Sequence, residues 1–272
     1  MTILAGVIGD PIAHSRSPRL HGHWLARHGI AGQYVPLRVT PSDLDAALDL
    51  LPRLGFSGIN VTQPHKEAVF ARAASVTDRA RAVGAANTLT FLPGGGFAAD
   101  TTDGAGFVAS LEQEAPGWPR DRPAVVMGAG GAAAGIVAAL RDEGLPAVAV
   151  ANRTQARAIA LAARFADRVM ALPWEALPGA MADAGLLVNA TSLGMAGHPP
   201  LALDLAPLPS DAVVADIVYA PLVTPLLAAA RARNLRAVGG LGMLLHQAVP
   251  GFAAWFGVVP EVDDALRRAV LG

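Results

Sequence analysis

One short segment restricts the possible folds of this chain more than any other. An apolar run, Ala124–Met127, leads directly into the turn Gly128–Ala133, and the sequence predicts a helix from there to about Glu143. A second apolar run, Ala147–Ala151, follows. The spacing is G-x-G-x-x-A inside a strand–turn–helix–strand unit, which is typical of dinucleotide-binding domains. The first glycine permits a tight turn, and the second lets a pyrophosphate approach the backbone at the helix N-terminus. We therefore expect cofactor contacts from Gly128, Ala129, Gly130, Gly131 and Ala132.

The residues after the second strand indicate which dinucleotide binds. A site for NAD needs a carboxylate there for the ribose 2′-hydroxyl, whereas a 2′-phosphate needs a cation. This chain has Asn152, Arg153 and Thr154 at that position, and Arg157 is predicted one helical turn beyond Arg153. Guanidinium groups bind phosphate bidentately, so the cofactor is predicted to be NADP. The alternative for Arg157 is an ordinary solvated helix face.

The rest of the chain alternates predicted strands and helices, which favours mostly parallel α/β sheets. A length of 272 residues suits one large or two modest domains. We predict a two-domain α/β protein, with an N-terminal, mostly parallel α/β substrate domain and a Rossmann-type NADP-binding domain. The predicted limits are 1–104 plus 240–272 for the first domain and 105–239 for the second.

Composition excludes several classes of function. The formal net charge is −1 and no block of like charges occurs, so we expect neither nucleic acid nor a membrane as a partner. The absence of cysteine excludes disulfides, thiol chemistry and cysteine-ligated metals. His14, His21 and His23 cluster without the spacing of a helical metal pair, so no metal is predicted. The start, Met1–Val7, lacks the basic region of a signal peptide, and we expect a soluble, cytoplasmic protein.

The only lysine of the chain, Lys66, is the strongest catalytic candidate. All other strongly basic side chains are arginines. A lysine can release a proton, whereas an arginine stays charged. Pro64 is predicted as the first residue of a helix, which would place Lys66 in its first turn, at the unfavourable end of the helix dipole. A hydride-transfer enzyme needs a group that protonates the alkoxide, and Asp103 could hold the ammonium in place. The alternatives are a solvated surface lysine for Lys66 and a helix N-cap for Asp103.

Other polar residues are candidates for binding a hydroxylated acid. Ser15 and Ser17 precede a predicted helix and could bind a carboxylate, although Ser17 is also predicted as the N-cap before Pro18. The chain has five asparagines, and Asn60, Asn87, Asn152 and Asn189 fall at predicted strand ends or motif loops. Their amides could bind hydroxyl groups, although asparagine also favours turns.

Taken in order, these motifs resemble the shikimate dehydrogenase family over essentially the full chain. The matching segments share an order as well as a composition: Ser15–Pro18, Asn60–Glu67, Gly84–Thr88, Thr102–Gly104, Gly128–Ala132, Asn152–Thr154, Asn189–Thr191, Tyr219 with Pro221, Gly242–Leu244, and Gln247 with Ala248. The chain departs from the family at three positions. The family often has Asn where Gly22 and Thr101 stand, and often Arg where Ala134 stands. Without that Arg, binding of the cofactor phosphates would depend more on Arg153 and Arg157.

The resemblance implies reversible, NADPH-dependent reduction of 3-dehydroshikimate to shikimate in chorismate and aromatic amino-acid biosynthesis. It implies an active site in the cleft between the domains, with Lys66 and Asp103 as the catalytic pair. The implied substrate-binding residues are Ser15, Ser17, Asn60, Thr62, Asn87, Tyr219 and Gln247. Further implied cofactor contacts are Asn189, Thr191, Met195, Ile217, Gly240 and Met243. A monomer or a homodimer is expected.

Two alternatives remain open on sequence. One is a quinate/shikimate dehydrogenase with relaxed cofactor choice, against which Arg153 argues. The other is a non-catalytic sensor of NADP and a metabolite, against which the retained Lys66 and Asp103 argue.

Overall fold

The computed structural model describes residues 2–165 and 167–272. Contacts divide the chain into two compact units, Met1–Thr102 with Gln247–Gly272, and Asp103–His246. Each unit contains one six-stranded sheet with helices, so the predicted two-domain α/β architecture is confirmed. The predicted domain limits, at 104 and 240, stay a prediction.

The sheet of the first unit is mixed. Its strands are β1 (Ile3–Gly9), β2 (Gly32–Arg38), β3 (Phe56–Val61), β4 (Ser75–Val76), β5 (Thr88–Phe91) and β6 (Phe97–Asp100). They lie in the order β2-β1-β3-β5-β6-β4. β1 is parallel to β2 and β3, whereas β5 is antiparallel to β3 and β6. The turn Pro93-Gly94-Gly95 joins β5 to β6 as an antiparallel hairpin.

The helices of the first unit cover both faces of this sheet. They are α1 (Ser17–Arg27), α2 (Leu44–Arg53), α3 (Lys66–Arg72), α4 (Asp78–Val83), the C-terminal part of α10 (Gly240–Phe256), and α11 (Asp264–Leu271). One core cluster packs Ile8, Ile59 and Leu89 against Leu48 and Val69 of the helices. Successive strand residues point to opposite faces, so Asn60 lies on the other face from Ile59. That other face carries an aromatic cluster formed by Trp24, Tyr34, Phe252, Trp255 and Phe256.

The sheet of the second unit is entirely parallel. Its strands are β7 (Ala124–Met127), β8 (Val148–Ala151), β9 (Val169–Leu172), β10 (Leu186–Asn189), β11 (Val213–Asp216) and β12 (Arg236–Gly239), in the order β12-β11-β10-β7-β8-β9. Its helices are α5 (Asp103–Glu114), α6 (Gly131–Asp142), α7 (Gln155–Ala162), α8 (Leu177–Met181), α9 (Pro225–Ala232) and the start of α10. The direction of winding reverses between β7 and β10, where ligands of such sheets bind beyond the strand carboxyl ends.

Candidate active site and cofactor-binding segments

The glycine-rich turn after β7 has the geometry that a pyrophosphate site needs. Gly128 has φ +119°, and a Cβ there would lie 2.7 Å from the carbonyl oxygen of Ala190. Gly130 is extended, and a Cβ there would meet no atom within 4 Å. Gly130 is also the N-cap of α6 and offers no side chain to the helix N–H groups. Gly128 therefore shapes the turn, while Gly130 leaves open space in front of a helix N-terminus, which suits an anion.

The end of β8 presents cations and no carboxylate. Asn152 Nδ2 donates to the Thr154 carbonyl oxygen at 2.9 Å, which folds the segment back on itself. Arg153 and Arg157 are both exposed. The predicted helical spacing between them is wrong, because α7 begins at Gln155 with Thr154 as its N-cap. No acid occurs from 152 to 158. The segment therefore fits a 2′-phosphate better than a 2′-hydroxyl.

A buried polar network fixes the loops after β10 and β11. Asp216, at the end of β11, accepts hydrogen bonds from Asn189 Nδ2 at 3.0 Å, from the Val218 N–H at 3.0 Å and from Thr224 Oγ1 at 2.6 Å. Asn189 Oδ1 in turn accepts from the N–H and the hydroxyl of Thr191. Asn189, Asp216 and Thr224 are almost wholly buried, at 0%, 1% and 0% exposure. This network therefore orients two loops that carry predicted cofactor contacts.

The Asn189 side chain is buried inside the second unit, and the cofactor contact that the resemblance implies for it stays a prediction. Its Nδ2 donates to Leu193 O and to Asp216, so both of its donors are committed inside the unit. Burial raises the pKa of Asp216, and the hydrogen bonds from Thr224, Val218 and Asn189 oppose that rise. Sequence reasoning missed Asp216 and Thr224. An acid that ends an apolar strand was the available signal, because such a charge needs several donors.

The remaining predicted residues of the second unit lie in α5, in α10 and in the loops after β10 and β11. Asp103 is the first residue of α5 and is buried. The next residue, Gly104, packs so tightly that a Cβ would lie 2.2 Å from the Gly135 carbonyl oxygen of α6. Gly240 begins α10, and a Cβ there would lie 2.1 Å from the Ile217 carbonyl oxygen. Three further predicted contacts lie after β10, after β11 and inside α10, and they are Met195, Tyr219 and Met243.

In the first unit, the predicted substrate-binding amides are joined in one cluster. Asn60 Nδ2 donates to Asn87 O and to Thr88 Oγ1, each at 3.1 Å. Asn87 Nδ2 donates to Thr102 Oγ1 and to Gln247 Oε1, each at 3.0 Å. Thr102 Oγ1 also donates to the Gln247 backbone oxygen at 2.8 Å. These contacts hold β3, β5 and α10 together around a set of polar groups that suits a polyhydroxylated ligand.

The helix cap at the start of α1 differs from the prediction. The predicted N-cap at Ser17 is wrong, because α1 already includes Ser17 and its N-cap is Arg16. Ser15 Oγ instead accepts from the Ser17 N–H at 3.3 Å. Burial raises the pKa of Tyr34, and the interaction of its hydroxyl group with the buried Ser17 side chain opposes that rise.

The helix that carries Lys66 begins later than predicted. Pro64 as its first residue is wrong, because the His65 N–H donates to Thr62 O at 3.1 Å and closes a turn before α3. His65 then serves as the N-cap residue, and its buried Nε2 lies 2.7 Å from Val39 O. Lys66 is the first helical residue, as the prediction of a first-turn position requires. Its carbonyl oxygen accepts from the Ala86 N–H at 3.0 Å, next to Asn87.

Within residues 2–165 and 167–272, no group of three or more histidine or acidic side chains could hold a metal ion. In the same part of the chain, no helix is both long and apolar enough to span a bilayer.

The parallel sheet, its strand order and the glycine-rich turn define the second unit as a Rossmann-type dinucleotide-binding domain. Residues 7–89 match the shikimate dehydrogenase substrate binding domain, and residues 112–196 match shikimate/quinate 5-dehydrogenase. The chain belongs to the shikimate dehydrogenase family.

Individual relatives cover nearly the whole chain. A protein of Acidiphilium cryptum named shikimate dehydrogenase (NADP(+)) is 60% identical over 98% of this chain and 95% of its own. The structure of Thermus thermophilus shikimate 5-dehydrogenase with NADP(H) and shikimate is 37% identical with a TM-score of 0.88, covering 98% of this chain and all (100%) of that one. Quinate dehydrogenase of Corynebacterium glutamicum with NAD is 34% identical with a TM-score of 0.92 over 99% of both chains.

Proposed function

We propose that this protein is an NADP-dependent shikimate dehydrogenase that interconverts 3-dehydroshikimate and shikimate in chorismate biosynthesis. The observation that carries the proposal is identity of 60% over nearly the full length to a relative named shikimate dehydrogenase (NADP(+)). The segment after β8 supports the choice of cofactor, since it offers Arg153 and no acid. The amide cluster around Asn60, Asn87 and Gln247 supports a hydroxylated substrate.

The side chains of this chain have distinct tasks in the proposed reaction. NADP accepts the hydride when it is bound. The protein must therefore accept or donate the proton of the reacting hydroxyl group and hold the substrate. We assign that proton to Lys66 and Asp103, because an ammonium and a carboxylate can each exchange a proton with a reacting group. Ser15 and Ser17 receive the carboxylate. The residues proposed to bind the substrate hydroxyl groups are Asn60, Thr62, Asn87, Tyr219 and Gln247.

Within the cofactor site, backbone and side chains are proposed to share the work. The N-terminus of α6 and the turn Gly128–Ala132 hold the pyrophosphate, and Arg153 binds the 2′-phosphate. Asn152, Thr154 and Arg157 complete the adenosine side. The loops that Asp216 orients carry Thr191, Met195 and Ile217, and the start of α10 carries Gly240 and Met243.

Replacement of Lys66 by methionine tests the catalytic assignment. Removal of a group that transfers a proton is expected to lower kcat by roughly 10²- to 10⁴-fold, while shikimate binding measured by calorimetry changes little. The matched control is Arg72→Met, which removes an exposed cation from the other end of the same helix and is expected to leave kcat unchanged. Turnover of the Lys66→Met enzyme at nearly the wild-type rate would show that the proton-transfer assignment is wrong.

Three further properties complete the proposal. The functional domains are proposed as 1–104 plus 240–272 and 105–239. The protein is proposed to be cytoplasmic. It is proposed to act as a monomer or a homodimer, which light scattering of the purified protein would test.

A further inference from the structure

Tyr34 is a buried polar residue of the first unit that has no part in the proposed reaction. It lies in β2 and only 6% of its surface is exposed. In the sheet, Tyr34 pairs with Ala5 of β1, and Ala5 pairs with Gly58 of β3. Asn60 is two residues beyond Gly58, so the side chains of Asn60 and Tyr34 lie on the same face of the sheet. Gly58 leaves room for the neighbouring Trp255 indole, because a Cβ there would lie 2.0 Å from Trp255 Nε1.

The hydrogen bonds around Asn60 define the direction of its contact with Tyr34. Asn60 Nδ2 donates to the backbone oxygen of Asn87, which can only accept, so the orientation of the amide is unambiguous. Asn60 Oδ1 therefore faces Tyr34 and accepts from its hydroxyl group at 2.7 Å. With both amide donors committed, Asn60 depends on Tyr34 for the position of its oxygen.

The same hydroxyl group also interacts with the Ser17 side chain. Burial raises the pKa of Tyr34, and the interaction with Ser17 opposes that rise. Tyr34 thus relates a proposed carboxylate-binding residue at the start of α1 to the amide cluster at the end of β3.

The ring of Tyr34 is held in place by its packing. His21 stacks on it with ring centroids 3.8 Å apart and planes inclined by 2°. Burial lowers the pKa of His21 to about 3, so its ring stays neutral and packs as an aromatic group. Trp255 lies on the same face, with its indole N–H donating to Leu89 O at 3.0 Å. A ring fixed in this way places its hydroxyl group with little freedom.

We propose that Tyr34 is a positioning residue that orients Ser17 and Asn60 for the carboxylate and a hydroxyl group of the substrate. The inference rests on the proposed function. Tyr34 acts through these two residues and touches no reacting atom. Because the groups it orients bind the substrate equally in the ground state and the transition state, its loss changes KM for shikimate and leaves kcat nearly constant.

Tyr34→Phe tests this role, because it removes one oxygen atom and keeps the ring. Loss of one or two net hydrogen bonds predicts a rise in KM for shikimate of roughly 5- to 10-fold, with KM for NADP and kcat within about 2-fold of wild type. The control is Phe256→Leu, which weakens the same aromatic cluster without touching a hydroxyl group. It is expected to lower the melting temperature and to leave KM for shikimate unchanged.

The outcomes separate the inference from the proposed function. If the wild-type protein does not oxidise shikimate with NADP, the proposed function is refuted and the inference is refuted with it. If the wild-type protein is active and Tyr34→Phe has an unchanged KM, the inference alone is refuted. The same conclusion follows if Tyr34→Phe and Phe256→Leu raise KM equally, since the effect would then be general destabilisation.

A measurement that keeps Tyr34 covers a Tyr34→Phe protein that fails to fold. The chain has two tyrosines, so incorporation of 3-fluorotyrosine gives two fluorine resonances, and a Tyr219→Phe sample assigns them. We expect the Tyr34 resonance to shift on addition of shikimate, because Asn60, which accepts a hydrogen bond from the Tyr34 hydroxyl group, then also binds the substrate. A Tyr34 resonance that stays in place at saturating shikimate would contradict the proposal.

Discussion

Alanine at Gly128 and alanine at Gly130 are expected to damage the protein in different ways, although the two glycines are only two residues apart. At Gly128 the backbone has φ +119°, a conformation that an L-residue adopts only with strain, and the added Cβ would lie 2.7 Å from Ala190 O. Strain of this kind costs about 1–3 kcal/mol, before any displacement of the loop after β10 is counted. For a protein of this size, that predicts a fall in Tm of roughly 2–12 °C.

At Gly130 the same methyl group meets no atom of the protein within 4 Å, and the backbone is extended. The fold is therefore expected to tolerate Gly130→Ala with little change in Tm. The methyl group would project into the space through which a pyrophosphate approaches the backbone. Losing about 1.4–2.8 kcal/mol of cofactor binding corresponds to a rise in KM for NADP of roughly 10- to 100-fold.

The assay for this pair is thermal unfolding of each variant without cofactor, followed by KM for NADP at saturating shikimate. The expected pattern is a large Tm loss for Gly128→Ala and a large KM change with normal Tm for Gly130→Ala. Equal losses of Tm would refute the assignment of turn geometry to Gly128. An unchanged KM for Gly130→Ala would refute the placement of the pyrophosphate at this turn.

Three further predictions concern cofactor choice, stability and pH. Arg153→Ala is expected to raise KM for NADP by roughly 10- to 100-fold and to leave KM for NAD unchanged, because only the 2′-phosphate uses the guanidinium; initial rates with each cofactor decide this. Thr224→Val removes a donor to Asp216 and the cap of Leu227 N, and is expected to cost about 2–3 kcal/mol in urea unfolding, whereas Thr224→Ser keeps both and costs less than about 1 kcal/mol. Burial disfavours the charge on Asp100, but hydrogen bonds from Arg79, Thr77 and the Thr101 N–H outweigh it and lower the pKa of Asp100. The stability that Asp100 contributes should therefore be present above a pH of about 4 and disappear in acid, so that Asp100→Asn differs from wild type at pH 7 and converges with it as the pH falls.

Strands were predictable where they are buried, because a buried strand requires a local run of apolar residues. β7 occupies the predicted residues, Ala124–Met127, since a buried parallel strand is a short apolar run between turn residues. The hairpin between β5 and β6 was predictable from Pro93-Gly94-Gly95. The two-residue strand β4 is too short to carry a pattern.

Helix starts were less predictable because distant contacts decide them. Ser17 is buried inside α1, whose N-cap is Arg16, and the turn that closes at His65 delays the start of α3. The missed helix α11 did carry a local signal, since Asp263 caps the Leu266 N–H at 2.9 Å. An N-cap aspartate ahead of spaced apolar residues at Leu266 and Val270 would have indicated it.

The polar networks mark the limit of what sequence alone could predict for the site. The Asn60, Asn87 and Asn189 side chains were identified as candidates from their positions at strand ends. Their partners Tyr34 and Asp216 lie 26 and 27 residues away in the chain, and no local pattern relates them. Which amide hydrogen atoms are already committed depends on the register of the sheets.

Cofactor and substrate choice by the wild-type protein tests the central claim most directly. Initial rates of reduced-cofactor formation, followed by absorbance, would be measured with shikimate and with quinate, each with NADP and with NAD. We predict that shikimate with NADP gives the highest kcat/KM of the four combinations. A higher kcat/KM for quinate with NAD would favour the quinate/shikimate dehydrogenase alternative, and no turnover with any combination would contradict the assignment of an enzyme.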